Sequence, residues 1–180
     1  EMWNAVSEKA TNDTDFSKYI IHYDYKAQQT GFVQPYADSP MDNEQVGEEV
    51  YISMINKAEN YCWFMTPYLI ITDEMTHALC LAAKRGVDVR IITPGFCHAK
   101  MSIVDDCMAT CGTINLDYRS LYHHFENGCF MADCQAVVEI KNDLIRTMGE
   151  CRDVTDQYCT GRSAYLRLGQ LFMRLFAGLL

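Results

Sequence analysis

A strand, a helix and a second strand, all within residues 61–93, predict an α/β fold with a mixed, mainly parallel sheet flanked by helices. YCWFMTPYLI, residues 61–70, is a dense apolar run, short enough to be a buried strand, and VDVRIIT, residues 87–93, is β-branched. The residues between them carry helical punctuation, and strand–helix–strand is the unit from which parallel sheets are built. A chain of 180 residues, 49% of them hydrophobic, is long enough to bury a core as one domain.

Residues 1–30 are polar, begin without a methionine and read as a segment of something longer. GFVQPY, residues 31–36, suits a short strand, and the following ADSPMDN is turn chemistry. From Gln45 to Asn60, Val46, Val50 and Met54 recur at helical spacing. The helix after residue 70 has both of its ends marked. Thr72 caps it, Asp73 and Glu74 suit the positive end of its dipole, Lys84 and Arg85 the negative end, and Gly86 stops it. AKMSIV and CMATC flank Asp105-Asp106, a pair that predicts a hairpin turn. NGCFMA, residues 127–132, is a further strand, and Val137 to Cys151 a further helix.

The formal net charge of −9 argues against a nucleic-acid binder that works by broad phosphate neutralisation. Residues 161–180 hold Arg162, Arg167 and Arg174 with no acid, which leaves −12 on the rest. Nine cysteines without a CxxC pair read as reduced, buried thiols. Cys107 and Cys111, with His123 and His124, form a weak zinc reading, since no second matched pair accompanies them. No apolar run reaches the eighteen or so residues that would cross a membrane.

The chemistry concentrates around GFCHAKMSIVDD. His98 and Lys100 are two apart, so an extended chain aims both at one spot while Met101 and Ile103 face into packing. Downstream come Asp105, then Gly112, Thr113 and Asn115 in the order GTxN, then Glu126. A neutral imidazole is a competent nucleophile at phosphorus when its other nitrogen is held by an acceptor. Lys100 supplies positive charge for the phosphoryl oxygens, and Thr113 and Asn115 can donate to those that remain. Glu126 can fix the imidazole tautomer. This arrangement needs no metal or other cofactor.

HAKMSIVDD, GTINLDYRSLYHHFENG, QPYADSP, YISMINKAE, TPYLIITDEM and AAKRGVDVRIITPG resemble the second half of a bacterial cardiolipin synthase, in the phospholipase D superfamily, over residues 31–180. The resemblance implies a phospholipase D-like half-domain at 31–160 and a phosphohistidine formed on His98. It assigns phosphate binding to Lys100, Thr113 and Asn115, orientation of the histidine to Glu126, and a supporting role to Asp105. The implied reaction moves a phosphatidyl group from one phosphatidylglycerol to another at the cytoplasmic face of the bacterial membrane, releasing glycerol. Such enzymes carry two HKD motifs, of which one is present here, so a homodimer or a second HKD half is implied. They also place a helix and a strand between two TPG-ending strands, whereas IITPG here runs straight into FCHAK between Gly95 and Phe96. Parallel neighbours need a crossover of about a dozen residues. The strands at 87–93 and 99–104 therefore cannot be joined as parallel neighbours. An inactive half-enzyme or interaction module, and a single-HKD phosphodiesterase or nuclease working as a dimer, remain alternatives.

In the tail, Leu168, Leu171, Phe172, Leu175 and Leu179 recur at i, i+3, i+4, i+7 and i+11, one stripe of a basic amphipathic helix over 161–180. Three arginines without an acid beside this terminal stripe point it to an anionic membrane surface, with docking on the protein's own core as the alternative.

Overall fold

The computed structural model describes residues 17–21, 24, 26–93, 95, 97–159, 164–174 and 176. They belong to two units, 1–30 and 31–180. Within the first, the described residues hold one 3-10 turn, Ser17–Tyr19, with nothing buried.

The second unit runs β1 (Phe32–Asp38), α1 (Val46–Lys57), β2 (Tyr61–Met65), β3 (Leu69–Ile70), α2 (Asp73–Lys84), β4 (Asp88–Ile92), β5 (Met101–Val104), β6 (Met108–Gly112), β7 (Leu116–Asp117), α3 (Tyr118–Tyr122), β8 (Glu126–Ala132), α4 (Gln135–Glu150), α5 (Thr155–Cys159) and α6 (Ala164–Arg174). Six strands form one sheet in the order β1-β8-β6-β5-β2-β4, and β3 pairs with β7 in a small second sheet. The βαβ unit is present: β2 and β4 are parallel, with α2 between them in sequence. Thr72 caps α2 by accepting from Met75 N–H at 3.1 Å.

The parallel character does not extend to the rest of the large sheet, which corrects the expectation of a mainly parallel one. β1–β8, β8–β6, β6–β5 and β5–β2 are all antiparallel, because the chain after β4 proceeds by hairpins and returns rather than by crossovers. This also resolves the abrupt step from IITPG to FCHAK. β4 and β5 are not neighbours; they flank β2 on opposite sides, one parallel to it and the other antiparallel. The expected strand over 61–70 divides in two: Thr66 N–H still donates to Ile92 O at 3.0 Å, and its hydroxyl then turns to Tyr68 O at 2.8 Å.

Side chains alternate across the sheet into two cores. Cys62, Phe64 and Val104 face α1 and α2, where Met54, Ile55, Met75 and Leu79 close over them. Trp63, Met65, Ile103, Ala109 and Met131 face the other way, onto Val137 and Leu144 of α4. Strand β5 is sealed from both sides, with Ser102, Ile103 and Val104 each fully buried. Ser102 and Thr110, cross-strand partners on β5 and β6, satisfy each other by a 2.6 Å hydroxyl pair.

The β5–β6 hairpin turns on Asp105 and Asp106, both with positive φ (49° and 59°), and Cys107 N–H closes it onto Val104 O at 3.1 Å. Positive φ at both central residues is the type I′ geometry that matches strand twist, and aspartate tolerates it. Among the described residues, no helix is long and apolar enough to cross a membrane.

Candidate active site

Strand β5 delivers the HxK pair to one end of the large sheet. His98 and Lys100 lie just ahead of the strand rather than in it, yet the sequence places them together as expected. Lys100 Nζ is 2.8 Å from His98 Nδ1 and 3.1 Å from Nε2, and it donates to the His98 carbonyl at 2.9 Å. The imidazole is exposed, whereas Lys100 is only 6% exposed. Burial holds the Lys100 ammonium below the ordinary lysine value, against the opposing pull of Glu126, Asp117 and Cys97. A buried cation with an exposed imidazole against it suits an anion arriving from solvent. Tyr68, 53% exposed, stands edge-on to the His98 ring with centroids 6.3 Å apart.

The GTxN residues follow at the end of β6. Gly112 N–H donates to Lys100 O at 3.3 Å, which ties this loop to the lysine. A Cβ at Gly112 would come 2.4 Å from Asn127 O and 2.6 Å from Gly128 Cα, so only glycine lets β6 approach β8 here. Thr113 and Asn115 lie in the loop between β6 and β7. The exposed Thr113 hydroxyl donates to Glu126 and accepts from Asn127 N–H at 3.0 Å. Asn115 Oδ1 is buried and has no hydrogen-bond partner among the described residues.

Glu126 opens β8, its side chain 9% exposed. The expected bond from its carboxylate to His98 is not among those formed by the described residues. Instead it accepts from Thr113, from Ser120 Oγ at 2.7 Å, and faces His124 Nδ1 at 3.5 Å. Ser120, 1% exposed, was not singled out in the sequence; its Oγ also accepts from Asn115 N–H at 2.9 Å, linking two site residues. The available signal was its place three residues after Asp117, whose carboxylate caps α3 by accepting from Ser120 N–H.

Asp105 stands at the far end of β5, about 16 Å along an extended chain from Lys100. Its carboxylate accepts from three backbone amides, those of Glu59 (2.6 Å), Asn60 (2.9 Å) and Tyr61 (2.8 Å). It binds the hairpin turn to the start of β2 and touches nothing at the His98 end. Cys107 and Cys111 are about 13 Å apart along β6 by strand rise, too far to share a zinc held by bonds of about 2.3 Å. No group of three or more His, Cys, Asp or Glu fit to hold a metal occurs among the described residues.

Comparison with known proteins identifies the family. The family described as "Cardiolipin synthase, PLD-like domain" matches residues 51–95 and 93–148. Residues 93–95 fall in both segments, so Thr93-Pro94-Gly95 answers to two places in the family pattern, where the sequence passes directly into FCHAK. An uncharacterized protein of Streptococcus mutans is 40% identical over 211 aligned residues, covering 100% of this chain and 45% of that protein. Since the chain has 180 residues, that alignment contains 31 positions with no counterpart here. A cardiolipin synthase of Halalkalibacterium halodurans is 27% identical over 83% of the chain and 36% of its own length. The chain thus spans less than half the length of these relatives. Among solved structures, NucT from Helicobacter pylori superposes with a TM-score of 0.59 at 14% identity, covering 68% of this chain and 98% of that one. The phospholipase D family member Nuc from Salmonella typhimurium gives 0.54 at 20% identity, covering 67% and 93%. With both family segments lying in the second unit and the HxK and GTxN residues meeting at one end of its sheet, the chain belongs to the phospholipase D-like family of cardiolipin synthase domains.

Proposed function

We propose that this chain supplies one half of a phosphatidyl-transfer centre acting on phosphatidylglycerol at the cytoplasmic face of a bacterial membrane. The observation that carries the reading is the buried Lys100 ammonium held against the exposed His98 ring. A phosphodiester arriving from solvent gives Nζ a charged acceptor, which frees a ring nitrogen to attack phosphorus. The bond formed is nitrogen to phosphorus, and the bond broken joins phosphorus to the glycerol oxygen. That oxygen leaves with a proton from a second histidine, since one imidazole cannot attack and protonate at once. A hydroxyl of a second phosphatidylglycerol then attacks the phosphohistidine, passes its proton to the second histidine, and restores His98. That histidine comes from another copy across a two-fold axis or from another HKD half.

Thr113 and the Asn115 side chain serve the remaining phosphoryl oxygens. The buried Asn115 amide has an unused hydrogen-bonding position, and turning the amide over presents an N–H there. Glu126, positioned by Ser120, reaches the imidazole once the substrate draws Lys100 away. The single-HKD phosphodiesterase reading draws support from one finding: a fold of this extent makes up nearly all of NucT and Nuc.

The test is transfer between phosphatidylglycerol molecules in vesicles, beside hydrolysis of a soluble phosphodiester. A quench in denaturant at alkaline pH should trap phosphorus on His98. Hydrolysis of the soluble ester without any transfer would move the chain to the second reading. Full transfer by a strictly monomeric chain would overturn the need for a partner half.

A further inference from the structure

Helix α6 is amphipathic, and the described residues of its apolar side stand open to solvent. Leu168, Leu171 and Phe172 are 70%, 65% and 61% exposed. They fall within a sector of about 100° on the helix. Helix α4 buries its own stripe at Val137 and Leu144, both at 0%, so the contrast lies in what each helix packs on. Arg167 and Arg174 are seven residues apart and recur on one side of α6, at the edge of the stripe next to Leu171. Long cationic side chains at such an edge reach phosphates while their stems stay with apolar groups. Arg162 adds a third charge, and 161–180 contain no acid. The rest of the chain carries a net −12, so this segment stands out as cationic toward an anionic surface.

We propose that α6 lies in the plane of an anionic lipid bilayer, its Leu168–Leu171–Phe172 stripe in the acyl boundary and its arginines at the lipid phosphates. The proposal rests on the phosphatidyl-transfer reading for its purpose, which is to hold the site at its lipid substrate. The contact itself needs only charge and apolar area. Anionic lipid is a better occupant than a second copy, because pairing two such helices brings together like charges with no acid to offset them.

Co-sedimentation of the full chain with phosphatidylserine-containing vesicles reads the contact apart from the reaction, since that lipid carries the charge without the glycerol headgroup. Binding should weaken several-fold as salt rises from roughly 0.05 to 0.5 M, and should be weak on pure phosphatidylcholine. Leu168→Glu with Phe172→Glu should cost about tenfold or more in binding, and each of Arg167→Gln and Arg174→Gln about fivefold. The melting temperature should stay in place, because Leu168 and Phe172 are exposed and the ring contact of Phe172 is to Phe176 of the same tail. Equal vesicle binding by the double glutamate variant overturns the proposal. A lowered melting temperature in that variant would assign the stripe to the protein's own core, and conversion of a dimer to a monomer would assign it to a second copy; either result overturns the proposal too. His98→Ala should bind vesicles as the parent does. A parent chain that binds but never transfers would therefore refute the transfer reading alone.

Discussion

The two ends of strand β5 carry the two halves of one short motif, and they are built in opposite ways. At the leading end, His98 is exposed and its ring's close polar neighbour is an ammonium drawn from its own motif. At the trailing end, Asp105 is committed to three backbone amides, and Asp106 to Tyr61 and Lys141. One end is left open to solvent, the other is closed by hydrogen bonds. The buried residues Ser102, Ile103 and Val104 between them make the strand a rigid spacer. The HKD spacing therefore describes a strand with an exposed head and an anchored foot, and mutations at its two ends should fail in different ways.

The largest contrast should come from His98→Ala, which removes the proposed nucleophile. We expect transfer to fall by about three orders of magnitude or more, with the melting temperature unchanged because the side chain is exposed. Lys100→Met should follow closely in activity. A variant at His98 that kept transfer would break the contrast at its head. Ser120→Ala should cost about tenfold in kcat by loosening Glu126, since it removes a 2.7 Å bond to that carboxylate. Ser120→Thr, which restores a hydroxyl, should recover part of the loss if the role is positioning.

At the foot, Asp105→Ala strips the acceptor from three amides and puts alanine at positive φ. We expect a loss of about 2–3 kcal/mol in denaturant unfolding with kcat per folded molecule nearly intact. A large fall in kcat at full stability would place Asp105 in the chemistry after all. The smallest effects concern pH. Hydrogen bonds from Lys141 and Tyr61 hold the Asp106 carboxyl below its ordinary 3.8. Its contribution to stability is therefore present above 3.8 and lost as pH falls through the lowered value. Asp106→Asn should flatten that acid limb slightly in thermal melts. At the head, Lys100 lies below its ordinary 10.5, so transfer should decline on the alkaline side before pH 10.5 is reached. Lys100→Arg should push that decline upward in a pH–rate profile.

The same contrast explains what the sequence made legible. The βαβ unit, the Thr72 cap and the Asp-Asp turn were readable because each is a local signal with its own residues. The direction of the whole sheet was not, because one parallel pair says nothing about returns formed by later hairpins and by pairing as remote as β1 with β8. β7 and α3, with two and five residues, are too short to show any period. The candidate residues that the structure brings together, His98, Lys100 and the GTxN loop, were read from spacing, since HxK and GTxN keep them close in sequence. The hydrogen bonds of Glu126 were not, because its choice of Thr113 and Ser120 over His98 depends on how the 113–120 loop packs.

The position of β4 has a consequence for how this family can change in length. β4 is one of the two edge strands of the sheet, and its exit has only to reach β5 across β2, two strand spacings or about 9.5 Å. Material inserted or removed between Ile92 and His98 therefore sits at the rim, where it alters no ladder inside the sheet and no layer of either core. The family match that doubles at 93–95 fits a border that evolution can extend or trim like a hem while the cloth keeps its weave.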